Sequence, residues 1–125
     1  MAKRMKPAVH FHIRPGLRRA ESAIGPGKIA LLEAIDRTGS ITAAAKSLGM
    51  SYRGAWLLLE ETNRSLARPA VTTIAGGKRG GGTQLTPTGI ELCRRYREIE
   101  GRVDALVSRK LGKLLRDSAF RSAAT

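Results

Sequence analysis

The spacing of apolar positions divides the chain into short elements. Ile29, Leu32 and Ile35 recur at helical spacing, with Leu31 beside them, between Gly25-Pro26-Gly27 and Gly39. Proline suits a first helical turn, where its missing N–H has no partner to lose, and glycine supplies a left-handed stop. The pattern predicts a helix over 27–38. Ser40 then stands as an N-cap for ITAAAKSLG, whose three consecutive alanines favour helix until Gly49 breaks it. Ser51 caps a third helix, about 51–65, with Ala55, Leu58, Leu59 and Thr62 along one side and Pro69 beyond its end. Upstream, Val9, Phe11 and Ile13 alternate with His10, His12 and Arg14, the period of two of a short strand with one buried face. Pro15-Gly16 ends that strand, and residues 17–25 carry no decisive pattern.

Downstream, Val71-Thr72-Thr73-Ile74 has β-branched strand chemistry, and Thr83-Gln84-Leu85 offers a return strand. Between them runs AGGKRGGGT, residues 75–83, with five glycines around Lys78 and Arg79. Thr86 is an N-cap and Pro87 a first helical residue for a long last helix, about 87–116. Along it Leu92, Tyr96, Ile99, Val103 and Leu106 alternate steps of four and three, a heptad seam that drifts onto Val107, Leu111 and Leu114 or Leu115. Gly101 and Gly112 weaken that helix by about 1 kcal/mol each relative to alanine. The seam either joins two copies of the chain or covers the three-helix core of one. Residues 1–7 read as a disordered basic tail and 117–125 as a frayed tail. The fold class is mainly α with a small β-hairpin wing: a winged helix-turn-helix over residues 8–116, with a long C-terminal helix that serves dimerisation.

A helix-turn-helix makes demands that can be checked residue by residue. Its tight turn needs a residue free to take a positive φ, here Gly49. Its first helix needs a small residue at the close crossing, here Ala45. Buried contacts are expected at Ala44, Leu48, Met50, Ala55 and Leu58, all apolar. The second helix of the motif is the reader, and its first turn, Ser51-Tyr52-Arg53, would point into the major groove. Arg53 can donate a bidentate pair to guanine or contact a phosphate. Tyr52 either packs on a thymine methyl, bonds a phosphate or braces the turn. Trp56, one turn on, suits the DNA face or, better, packing between helix and wing. Ser51 caps.

The balance of charge changes the picture of partners. The 125 residues carry 23 Lys and Arg against 10 Asp and Glu, a net charge of +13. A cationic surface selects nucleic acid or anionic membrane. With one Trp and two Phe the chain lacks the apolar face that membrane surfaces require, and no apolar run approaches a membrane span. The N-terminus is basic without the apolar core of a secretion signal, so a cytoplasmic, nucleoid-associated protein is expected. Cys93 is the single cysteine, which excludes an internal disulfide.

The run GSITAAAKSLGMSYRGAW, followed by AGGKRGGGTQLTPTG, resembles the N-terminal DNA-binding domain of the ModE family of molybdate-responsive transcription regulators, over roughly residues 26–100. The resemblance implies a winged helix, a homodimer held partly by the long last helix, and operator binding. It implies that Ser51, Tyr52 and Arg53 lie at the reading head and that Lys78 and Arg79 ride the wing. Full-length ModE proteins carry C-terminal molybdate-binding domains, for which residues up to Thr125 leave no room, so molybdate binding by this chain is not expected. Leu57 departs from the pattern: it is apolar on a flank that should be polar if it meets DNA, and it either packs against the wing or lines a partner surface.

Other chemistries fit less well. A phosphate loop needs G-x-x-x-x-G-K-[ST], whereas here Lys78 comes early and no Ser or Thr adjoins it. His10 and His12 share a strand face, but no further histidine completes a metal site. Cys93 reads as a packed small residue. No enzyme activity, metal or cofactor is expected. The sequence therefore points to a homodimeric, sequence-specific regulator of double-stranded DNA with a pseudo-palindromic operator. Its expected DNA-facing set is Ser40, Thr42, Ser51, Tyr52, Arg53, Trp56, Lys78 and Arg79, and its expected dimer set is Leu92, Tyr96, Ile99, Val103 and Leu106. The alternative is a winged helix that binds nucleic acid without specificity, as an architectural or RNA-binding protein.

Overall fold

The computed structural model describes residues 9–13, 24–74 and 82–115. The two expected tails and the wing tip with Lys78 and Arg79 lie outside the described residues. The chain forms two compact units, one from His12 to Arg94 and one that joins the segment ending at Phe11 to the residues from Arg95 onward.

In the larger unit, α1 (Pro26–Thr38) begins with proline in its first turn and ends at Gly39, whose φ of 71° is the left-handed stop. Ile29, Leu31, Leu32, Ala34 and Ile35 are buried along it. Helix α2 (Ile41–Ser47) starts at Ser40, whose hydroxyl accepts the Ala43 N–H at 3.1 Å. Gly49 takes a φ of +68° in the turn, and the Met50 N–H returns to the Ala45 carbonyl. Helix α3 (Tyr52–Arg64) is capped by Ser51, whose hydroxyl accepts the Gly54 N–H at 3.0 Å. The three helices pack on one another, and the fully buried Ala44, Ala45 and Ala55 keep their backbones close. Leu48, expected in this core, is instead 41% exposed. It is the C-cap of α2, with a non-helical backbone off the track that Ala44 and Ala45 follow. Met50 and Leu58 are half-buried.

An ion pair joins α1 to α3: Lys28 Nζ lies 3.2 Å from a Glu61 carboxylate oxygen, with Lys28 buried. Removing such a pair from water offsets most of its Coulomb gain, so its main effect is to fix how the two helices meet.

After α3 the chain turns into a hairpin of β1 (Val71–Thr73) and β2 (Thr83–Leu85), antiparallel in the register Val71↔Leu85, Thr72↔Gln84, Thr73↔Thr83. Asn63 organises that entry. Its Oδ1 accepts the N–H groups of Ala70 at 2.8 Å and Val71 at 3.2 Å, while its Nδ2 donates to the Val71 carbonyl. In β2, Thr83 and Leu85 are buried and Gln84 is exposed. The Thr83 N–H donates to the Gly39 carbonyl at 3.0 Å, which ties the hairpin to the α1–α2 junction. Thr86 then caps α4 (Pro87–Leu111), accepting the Gly89 N–H and donating to the Pro69 carbonyl. The predicted run to 116 ends early, at Leu111. Three helices, a two-stranded hairpin and a long last helix form a winged helix-turn-helix.

Among the described residues, the predicted N-terminal strand is represented by one antiparallel bridge, Ile13 with Ile24. Its period of two survives as burial, since Val9, Phe11 and Ile13 are half-buried while His10 and His12 are exposed. Alternation records which side is covered, and it does so whether or not a neighbouring strand supplies a ladder. In the smaller unit, Phe11 stacks on Tyr96 with ring centroids 4.3 Å apart, and the Tyr96 hydroxyl donates to the Phe11 carbonyl at 2.7 Å. Asp104 accepts the Val9 N–H at 2.8 Å. Burial, chiefly, raises the Tyr96 phenol above the ordinary tyrosine range; the Glu100 carboxylate adds to the rise, and Arg97 and the Phe11 backbone oppose it.

Two glycines of α4 are expected to respond oppositely to alanine. A Cβ at Gly89 would overlap the Ala70 carbonyl, whereas one at Gly101 meets nothing. Gly101→Ala should therefore stabilise by about 1 kcal/mol. Gly89→Ala should destabilise by about 1–3 kcal/mol through overpacking. Thermal unfolding of the two variants checks the sign. For Tyr96 the raised pKa means that folding favours the neutral phenol. Its contribution is complete below the unfolded value of about 10 and is lost as pH rises through the higher folded value. Tyr96→Phe should flatten that alkaline loss in a stability–pH profile. At neutral pH it should cost about 0.5–1.5 kcal/mol for the missing hydrogen bond.

Candidate nucleic-acid interface

Helix α3 buries Ala55, Leu59 and Thr62 on one side. At about 100° per residue, its first two turns then present Tyr52, Arg53, Trp56 and Leu57 outward. Tyr52 is 55% exposed, Trp56 45% and Leu57 40%. No acidic residue lies in the first turn of α3. Of the two that follow, Glu61 pairs with Lys28. The positive end of the helix dipole and the Arg53 charge thus meet no carboxylate within the first turn, a favourable field for phosphate there, while Glu60 is exposed further along the same side.

Beside that face lies a cleft of about 330 Å³ where the start of α2, the first turns of α3 and the hairpin meet. Ser40, Thr42, Tyr52, Trp56 and Thr73 line it, and among the described residues no carboxylate does. Hydroxyl groups of this kind are donors to phosphate and sugar oxygens. A second cleft of about 190 Å³ runs deeper between α3 and β1, over Ile41, Trp56, Leu59 and Val71, with Glu60 and Asn63 at its edge. Its apolar lining and its carboxylate suit a phosphate poorly. Trp56 lines both clefts, between α3 and the hairpin.

The structure thus brings Ser40, Thr42, Tyr52 and Trp56 to one place. The Ser51 hydroxyl is occupied as the α3 cap. Arg53 lies on the exposed side of α3 outside the cleft lining. Thr73, Ile74 and Gly82 join the cleft from the hairpin. They carry no sequence signal of their own, because hairpin register decides which strand residues face α3. Asn63 was also illegible locally: its partners lie seven and eight residues on.

Of the expected dimer set, Ile99 and Leu106 are 42% and 46% exposed, while Leu92 and Val103 are half-buried. Tyr96 is buried within the chain against Phe11. Cys93 is buried. Among the described residues, no three His, Cys, Asp or Glu side chains cluster to hold a metal ion. Nor is any helix among them long and apolar enough to cross a membrane.

No protein-family model matches the chain. Among curated proteins it is 48% identical over 92 residues to the molybdenum-pterin-binding protein MopB of Rhodobacter capsulatus, which covers 74% of this chain and 34% of that protein. It is 49% identical over 73 residues to the molybdenum transport protein ModE of Herbaspirillum seropedicae, covering 58% of this chain and 27% of the relative. To the DNA-binding transcriptional dual regulator ModE of Escherichia coli K12 it is 41% identical over 71 residues, covering 57% and 27%. The chain thus spans about a third or less of the length of these relatives. Its helix-turn-helix, its hairpin wing and these identities make it homologous to the N-terminal region of the ModE and molybdenum-pterin-binding proteins.

Proposed function

We propose that this chain is a sequence-specific, double-stranded DNA-binding transcription regulator that acts in the cytoplasm as a homodimer, without catalysis. The observation that carries the reading is the exposed, acid-free opening of α3 beside a hydroxyl-lined cleft, in a chain homologous to a region of proteins that include a DNA-binding regulator. Helix α3 enters the major groove, with Arg53 donating to a base edge. Thr42, Tyr52 and Ser40 line the track of a DNA backbone, and Trp56 holds the hairpin root to α3. Lys78 and Arg79 on the wing supply charge to backbone or minor groove. Ser51 keeps the first turn of α3 in place through its cap. Two copies associate along α4 through Ile99 and Leu106, flanked by Leu92 and Val103. Tyr96 supports that surface from within its own chain through Phe11. Dimer symmetry would space the two α3 helices about one DNA turn apart, roughly 34 Å or a multiple, on a pseudo-palindromic operator.

Selection from random duplex DNA at fixed salt should enrich one palindromic sequence. A specific-to-random affinity ratio near one would leave only the architectural or RNA-binding reading. On the enriched duplex, Arg53→Ala should cost about 1–3 kcal/mol and relax the preference at a single base pair. Uniform weakening across sequences would make Arg53 a phosphate contact instead. Light scattering at micromolar concentration should give a dimer, and Leu106→Glu should give a monomer with an unchanged far-ultraviolet spectrum. A wild-type monomer under those conditions would remove the dimer from the proposal.

A further inference from the structure

We propose that Leu57 is a specificity-determining residue that reads the C5-methyl group of a thymine in the major groove. The inference rests on the DNA-binding reading of α3 given above. Leu57 is 40% exposed and lies one helical turn after Arg53, on the side of α3 opposite the buried Ala55, Leu59 and Thr62. Among the described residues it lines neither cleft that α3 shares with the hairpin. With Tyr52 and Trp56 it makes the outward face of the first two turns largely apolar, interrupted by the single charge of Arg53.

The chemistry of the groove then selects the ligand. Base edges in the major groove offer hydrogen-bond donors and acceptors and only one apolar group, the methyl of thymine. A leucine can make no hydrogen bond to the others. Its contact with a thymine methyl removes both from water, and cytosine, which lacks the methyl, gives no such gain. The position of the thymine is also constrained. Four residues of helix advance about 6 Å, and base pairs follow at about 3.4 Å. The thymine therefore lies within about two base pairs of the contact made by Arg53.

The test uses the duplex enriched by the wild-type chain, with each thymine replaced singly by uracil, which differs only in lacking the methyl. Wild-type affinity should fall about fourfold at one thymine per half-site, the worth of one buried methyl group. Leu57→Ala should bind the thymine and uracil duplexes equally there while keeping the preference set by Arg53. Leu57→Met, which retains an apolar tip, should restore discrimination. Alanine favours helix at this exposed position, and an unchanged melting temperature confirms that the variant folds. Equal wild-type binding of every thymine and uracil pair overturns the inference. So does a uracil penalty that persists in Leu57→Ala. Failure of any duplex to enrich would instead overturn the DNA-reading function on which it rests.

Discussion

The peptide of Ala70 is the point on which the larger unit turns. Its N–H is held by the Asn63 side chain, its carbonyl accepts the Thr86 N–H at 2.9 Å, and Gly89 lies against that carbonyl. The residue is fully buried, so none of these groups has water as an alternative. A buried N–H or carbonyl without a partner costs about as much as a lost hydrogen bond or more. The end of α3, the start of β1 and the start of α4 are therefore fixed together by one set of bonds. Because Trp56 of α3 and Thr73 of β1 both line the clefts, those clefts inherit its geometry.

Local chemistry was legible in the sequence and long-range geometry was not. Ser40, Ser51 and Thr86 cap as their types and positions suggest, since a cap involves only the next few residues. Gly39 and Gly49 take positive φ for the same local reason. The alternation of Val9, Phe11 and Ile13 correctly gave burial but not secondary structure, because a strand needs a neighbour that periodicity cannot supply. Leu48 was misplaced because an apolar residue at a helix end follows the cap geometry more than the helical stripe. Tyr96 fits the heptad spacing of α4 as well as any of its companions. Its partner Phe11 lies 85 residues away, beyond the reach of any pattern along α4.

The candidate interface divides in the same way. The exposed opening of α3 follows directly from helical spacing and could be read in advance. The hydroxyl-lined cleft needed the hairpin register to bring Thr73 beside Tyr52 and Thr42. The net charge of +13 bears on the class of partner but places no contact. The pairing of Glu61 with Lys28 is what keeps a carboxylate of α3 engaged with the core.

The hydrogen bond from Thr83 to Gly39 has a mechanical meaning. Gly39 immediately precedes Ser40, the cap of α2, so the root of the wing and the first residue of the motif share one anchor. Displacement of the hairpin root is therefore passed to the start of α2 rather than absorbed in slack at the hairpin base. The hairpin root and the start of α2 thus share a single lever point.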